Sequence, residues 1–258
     1  MRKILLILFS IDCIACTPIK QSTIDTTLQS KVDSILQNKM SEINALSGQA
    51  IVMDIQKGEI KAMVGNAKKQ ASSLMRAVSI NKALETGKVF LSDSVDTGNG
   101  VIVLNEDTIL DHNWHRGGYG KITLKKGLAC ESEIAVRLAL DATGVEAVDT
   151  LVTPLEMLKL FNGIIKNNSL KSAFRYCVTE GLGRPASTDK IEVAGLSGRK
   201  VVSKANPEKP EYAIEFIGYF PVDEPKYSII VSMNKIGFPA SGGLMAGSVI
   251  KEIVESVK

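Results

Sequence analysis

The spacing of apolar residues divides the chain into helical and strand-like segments. Between residues 24 and 43 apolar side chains recur every three or four positions, which predicts an amphipathic helix. Apolar runs at 50–55 and 59–64 flank a turn that contains Gly58, and together they predict a β-hairpin. Four further strand-like runs precede a closing helical segment at 244–257, and they cover residues 191–194, 200–202, 212–219 and 227–233.

Polar residues suited to helix caps mark the helices in the middle of the chain, because their oxygens can accept from the unpaired amides of a first turn. The stretch 91–119 is rich in loops, with short strand-like runs at 101–104 and 108–110. The predicted helices are 74–84 behind Ser73, 124–129 behind Thr123, 132–142, and one that opens with Thr153, Pro154 and Glu156. A hairpin, several helices and an antiparallel meander predict an α+β fold, with helices covering an antiparallel sheet.

The first fifteen residues have the pattern of a secretory signal peptide. A basic start at Arg2 and Lys3 precedes the apolar run 4–9, and Asp12 interrupts the run too early for it to span a bilayer. The small residues before Cys16 look like a bacterial lipoprotein processing site, in which Cys16 is lipidated. Ordinary signal-peptide cleavage is the alternative.

We therefore divide the chain into a signal peptide at 1–15, a lipid-anchor tether with an N-terminal helix at 16–47, and one domain at 48–258. The protein is expected to be exported to the periplasm or the cell-envelope face, where a lipid on Cys16 would hold it on a membrane. Removal of residues 1–15 takes away two basic residues and one acidic residue, so the formal charge falls from +3 to +2. So small an excess argues against a nucleic-acid partner.

The cysteine and histidine positions do not predict a metal site or a cofactor. No cluster of these residues has zinc-ligand spacing, and His112 and His115 are expected to be structural residues of a glycine-rich loop. If Cys13 is cleaved off and Cys16 is acylated, only Cys130 and Cys177 remain. A disulfide between them is allowed but not indicated.

The stretch from Ser73 to Arg76 is the first candidate for chemistry. A serine at the start of a buried helix can act as a nucleophile, because the helix dipole and first-turn amides stabilise negative charge there. Ser-x-x-Lys at this place would be a serine acyl-transfer motif, and here the fourth residue is arginine.

Six stretches, in this order, carry a resemblance to a known family. They are residues 48–64, 96–100, 118–120 with 123–128, 152–158, 216–221 and 241–243. From about residue 48 to its end the chain resembles the transpeptidase domain of penicillin-binding proteins. The resemblance implies the β-lactamase/transpeptidase-like fold, a three-layer α/β/α arrangement. It also implies a serine-type D,D-transpeptidase that acts on peptidoglycan stem peptides and reacts with β-lactams.

The three active-site motifs of that family can be located, and each is altered. The Ser-x-x-Lys motif falls on Ser73 to Arg76 and loses its lysine. The Ser-x-Asn motif falls on Glu131 to Glu133, with glutamate at both signature positions. The Lys-Thr/Ser-Gly motif falls on Leu196, Ser197 and Gly198 and also loses its lysine.

These substitutions remove the groups that would activate the serine. A serine hydroxyl needs a base, and the guanidinium of Arg76 stays protonated in proteins. Glu131 or Glu133 could act as a base, but the charge of Arg76 would lower its basicity. The resemblance also implies that Ser197, Gly198 and Arg199 contact the substrate, with the amides of Ser73 and Arg199 as an oxyanion hole. Alternatively, Arg76, Glu131 and Glu133 form an ion-pair network that holds the site together.

The preferred hypothesis is a degenerate, non-catalytic homologue that binds a cell-wall peptide, a β-lactam or an envelope protein partner. One alternative is an active D,D-transpeptidase or carboxypeptidase that is acylated at Ser73. Another is a protein-interaction module that keeps the fold without a ligand cleft.

Overall fold

An antiparallel sheet forms the middle of the molecule in the computed structural model, which describes residues 23–66, 70–104 and 106–257. The described strands are β1 (Ser47–Asp54), β2 (Ile60–Val64), β3 (Gln70–Ala71), β4 (Ser94–Asp96), β5 (Val101–Leu104), β6 (Asp107–Leu110), β7 (Lys121–Thr123), β8 (Leu151–Val152), β9 (Ala194–Ser203), β10 (Glu211–Phe220) and β11 (Tyr227–Ile236). The central sheet has the order β2-β1-β11-β10-β9, so β9 is an edge strand. The other strands form three short pairs: β3 with β8, β4 with β7, and β5 with β6.

Helices cover both faces of this sheet. They are α1 (Thr26–Ile43), α2 (Met75–Glu85), α3 (Leu124–Ala129), α4 (Glu133–Thr143), α5 (Pro154–Asn167), α6 (Lys171–Thr179) and α7 (Ser248–Ser256). One core lies between the sheet and α2 to α6, and a second core lies between the sheet, α1 and α7. The α+β fold with helices on both sides of an antiparallel sheet, predicted from the sequence, is confirmed.

The central strands are largely apolar because both of their faces are buried. Along β1, Ile51 and Met53 contribute to the core beneath α2 to α6, whereas Ala50 and Val52 contribute to the core beneath α1 and α7. The hairpin of β1 and β2 was predicted with nearly these bounds.

Helix caps explain where most helices begin. Thr153 and Glu156 form a capping box at the start of α5, as predicted. Thr123 caps α3, and Ser132 caps α4 by accepting from the Ala135 amide at 3.1 Å. The prediction that Ser73 caps α2 is wrong, because that helix begins at Met75 without a side-chain cap.

Two further predictions of secondary structure differ from the fold. The run 200–202 lies within β9, whereas the run 191–194 overlaps that strand only at Ala194; β9 also pairs with β10 through Ser197 and Gly198. Small and polar residues interrupt the apolar pattern between the two runs, although their backbone continues the pairing of β9 with β10. Helix α6 was not predicted, and the closing helical segment starts with a π-helical turn at Gly242–Gly247 before α7.

The predicted signal peptide and the predicted lipidation site at Cys16 lie outside the described residues. Among the helices that the structure describes, none combines the length and the apolar character needed to cross a membrane.

Candidate functional site

A cleft of about 390 Å³ lies beside β9, between this edge strand and helices α2 and α4. Among the described residues that line it, the charged side chains are Arg76, Arg137, Arg199, Lys200, Glu131, Glu133 and Asp149. Ser72, Ser73 and His112 also line the cleft. The structure therefore brings together most of the residues that the sequence placed at one site.

Ser73 lies in the turn that leads into α2, and its hydroxyl is packed against β9. A methyl group at Gly198 would overlap Ser73 Oγ, so the strand can pass this closely only because position 198 is glycine. Ser73 Oγ is buried and has no hydrogen-bond partner among the described residues. A serine hydroxyl becomes an efficient nucleophile when a neighbouring base accepts its proton. Among the described residues, no side chain lies within hydrogen-bond distance of Ser73 Oγ to do so.

Arg76 lies one helical turn beyond Ser73 and holds the turn against the sheet. Its Nη1 donates to the Ser73 carbonyl at 2.9 Å, and its Nη2 donates to the Ser197 carbonyl. The guanidinium has no carboxylate within ion-pair distance among the described residues, and its buried Nε is unpaired. The predicted ion-pair network of Arg76 with Glu131 and Glu133 is therefore not formed.

Glu131 reaches across the cleft to β9. Its Oε1 accepts from the Ser197 hydroxyl at 2.6 Å, and Ser197 is fully buried. Glu131 follows the last turn of α3 with a φ of 56°, in the left-handed region that favours glycine and asparagine. Glu131 of the second motif is thus bonded to Ser197 of the third motif.

Glu133 is exposed at the start of α4, where a carboxylate interacts favourably with the helix dipole. The buried partners of this helix start are other residues. The Ser132 hydroxyl donates to Asp111 Oδ2 at 2.8 Å, and the Ile134 amide donates to Asp111 Oδ1 at 3.1 Å. Ser132 and Asp111 therefore fix the position of the second motif, and neither was predicted to do so.

A buried carboxylate lies beneath the Ser73 turn, on the central strand β10. Glu215 is 3% exposed, and its Oε2 accepts from Ser72 Oγ at 2.8 Å. Burial raises the pKa of Glu215, while donors from Ser72, Ser232 and the Ser73 backbone, and the charge of Arg76, oppose that rise.

Glu215 is the residue of this site that sequence reasoning missed. The available signal was a single acidic residue inside the apolar run 212–220. A lone carboxylate in a strand that is buried on both faces requires polar partners, and Ser72 and Ser232 are such partners.

The third motif is divided between the core and the cleft. Leu196 is fully buried in the core beneath α2 to α6, so this position presents no donor to a ligand. Arg199 lines the cleft, donates to the Ala240 carbonyl at 3.3 Å, and lies over the rings of Tyr212 and Phe238. These contacts hold its guanidinium at the edge of the cleft.

Other groups of the cleft also gave no sequence signal. Lys200 of β9 pairs with Asp149 at 2.7 Å, which links the edge strand to the loop before β8. His112 lies 3.2 Å from the Tyr119 hydroxyl, and burial lowers the pKa of its imidazole. Within the part of the chain that the structure describes, no group of side chains has the arrangement of a metal site.

The two cysteines of the domain are buried free thiols. Burial raises the pKa of Cys177 to about 11, while the nearby charges of Arg76 and Glu131 act on it in opposite directions. A thiol with such a pKa is protonated at neutral pH and is a poor nucleophile.

Comparison with known proteins connects this fold to one structural class. No protein-family model matches the chain, and no curated protein matches it. Among solved structures, a peptidoglycan glycosyltransferase from Burkholderia ambifaria is similar with a TM-score of 0.75 and 18% identity, over 91% of this chain and 95% of that one. The TP domain of penicillin-binding protein 3 from Burkholderia pseudomallei has a TM-score of 0.76 and 18% identity, over 90% and 94% of the two chains.

A peptidoglycan synthetase from Bifidobacterium adolescentis is similar with a TM-score of 0.76 and 15% identity, over 90% of this chain and 60% of that chain. The chain therefore has the fold of penicillin-binding protein transpeptidase domains, as its sequence predicted. At 15–18% identity the likeness concerns the fold, and what the cleft does has to be argued from its own residues.

Proposed function

We propose that this protein is a non-catalytic member of the transpeptidase-like fold that uses its cleft to bind a ligand at the cell envelope. The ligand would be a cell-wall peptide, a β-lactam or a segment of an envelope protein. The fold similarity and the signal-peptide pattern support the envelope location. A lipid on Cys16 would anchor the protein to a membrane.

The observation that carries the proposal is the surroundings of Ser73. Its hydroxyl has no acceptor within reach among the described residues, and the position one turn further along α2 holds Arg76, which cannot accept a proton. Without a base, and without the lysine that Leu196 replaces, acyl transfer should lose about four or more decades of rate.

The same geometry keeps a cleft open. A volume of about 390 Å³ with polar and charged walls remains beside β9, within the size range of small-ligand sites. This cleft supports ligand binding over the alternative of a module that keeps only the fold.

A titration with a stem peptide that ends in two D-alanines separates the three hypotheses. The proposal predicts saturable amide shifts at cleft residues such as Ser73 and Arg199, without release of D-alanine. Release of D-alanine, abolished by Ser73→Ala, would establish the active enzyme instead. The stem peptide is tested as its free acid and as its C-terminal amide, beside benzylpenicillin. If none of the three shifts the amide resonances of cleft residues, the protein-interaction module would become the better account.

A further inference from the structure

The Ser197 hydroxyl is already bound to a carboxylate. The 2.6 Å distance from Ser197 Oγ to Glu131 Oε1 is that of a charge-assisted O–H···O⁻ hydrogen bond. Ser197 is fully buried beside the cleft, so its hydroxyl needs a partner, and Glu131, which lines the cleft, supplies one.

The backbone at Glu131 does not by itself favour glutamate. The Glu131 amide donates to the Leu128 carbonyl, and the Ser132 amide donates to the Gly127 carbonyl, which is the Schellman arrangement at a helix end. Glycine, or less often asparagine, is usual at the position with positive φ. A glutamate here is accounted for by what its side chain contacts, namely Ser197.

A positively charged side chain, Arg76, also contacts Ser197. The Arg76 guanidinium donates to the backbone carbonyl of Ser197, so the cation and the Glu131 carboxylate approach one residue from different sides. The charges of Arg76 and Glu131 both act on the pKa of the buried Cys177 thiol, in opposite directions. A buried hydroxyl donor beside a guanidinium is an environment that suits an anion.

We propose that Ser197 forms a carboxylate-binding site and that Glu131 occupies it from within the chain. The cleft then disfavours ligands that bring a carboxylate to Ser197, because like charges repel in a partly desolvated site. It favours ligands that present a neutral amide at this point. The preference for amide ligands rests on the proposed function, because it concerns the same cleft, whereas the filled carboxylate site can be tested without any cell-wall ligand.

The test is an acetate titration of the purified protein, followed by the amide resonances of Ser197 and Arg199. In Glu131→Gly the positive φ suits the new residue, so the fold is expected to persist while the carboxylate is removed. This variant should bind acetate about tenfold or more tightly than the wild type. Glu131→Asn, which also suits the backbone, should behave in the same way.

Glu133→Gly is the matched control, because it removes the exposed glutamate of the same cleft. This variant should bind acetate as the wild type does. Acetamide, the neutral analogue, should gain less from Glu131→Gly than acetate does, because no charge repulsion is relieved. The inference is overturned if folded Glu131→Gly and Glu131→Asn gain no acetate binding, or if the wild type already binds acetate equally well. Neither outcome depends on whether a stem peptide binds, so failure here is distinct from failure of the proposed function.

Discussion

Arg76 holds the turn of Ser73 against β9, and the proposed function depends on what its side chain cannot do. A lysine at this position has a single ammonium that can lose a proton when its pKa is lowered. The arginine has a planar array of donors that never deprotonates, and two of them are bonded to the carbonyls of Ser73 and Ser197. Arg76 therefore ties α2 to β9 and cannot itself act as a base for Ser73.

Ser72 and Ser73 are adjacent serines with opposite expected effects on stability. Ser72→Ala removes the bond to buried Glu215 and the bond from the Leu74 amide, so it should lower the unfolding free energy by about 1–3 kcal/mol. Ser73→Ala removes a buried hydroxyl without a partner, so the change should be about zero or slightly stabilising. Urea unfolding of the two variants measures both values, and equal losses would contradict this assignment.

Glu215 should make stability depend on pH. Its pKa is raised in the folded protein above the ordinary value of 4.5, mainly by burial. Between these two values the folded state binds more protons than the unfolded state, so the contribution of Glu215 is present at low pH and is lost as pH rises through the folded pKa. Unfolding measured from pH 4.5 upwards should show this loss, and Glu215→Gln should remove it. An unchanged pH dependence in the variant would show that Glu215 is not responsible.

For single residues, the sequence predicted which residues line the cleft better than it predicted which of them contact each other. It placed Ser73, Arg76, Glu131 and Arg199 at one cleft, and they do line one cleft. It could not predict that Glu131 bonds to Ser197, because that contact joins residues 66 positions apart and depends on a backbone turn with positive φ.

Helix starts were predictable where one side chain makes the cap. Thr153 and Thr123 cap through bonds to residues three positions away, so the local sequence contains all that is needed. Ser73 has a similar local context, but the close passage of Gly198 places its hydroxyl against β9 instead. Tertiary contact overrides the capping preference there.

The packing of α2 on β9 should depend on Gly198. Gly198→Ala places a methyl group where it overlaps Ser73 Oγ and closely approaches a Leu74 methyl group, so it should cost about 1–3 kcal/mol of unfolding free energy. The double variant Ser73→Ala/Gly198→Ala should recover about 1 kcal/mol or more of this cost, because the overlapping atom is removed. Additive losses in this double-mutant cycle would mean that the two residues do not pack as described.

The fold of the whole molecule was more predictable than its chemistry. Six stretches that resemble those of penicillin-binding protein transpeptidase domains, in the family's order, predicted the transpeptidase-like fold. The two cores lie on either side of the sheet, whereas the cleft lies beside the edge strand β9. Substitutions of the residues that line this cleft should therefore leave most of the burial in both cores intact.

The central claim is that Ser73 is not a working nucleophile. The most direct test is to incubate the purified protein with excess benzylpenicillin and measure its intact mass, with Ser73→Ala as the control. We predict no penicilloyl adduct on either protein after long exposure. An adduct on the wild type that is absent from Ser73→Ala would contradict the account and show that Ser73 is activated despite Arg76.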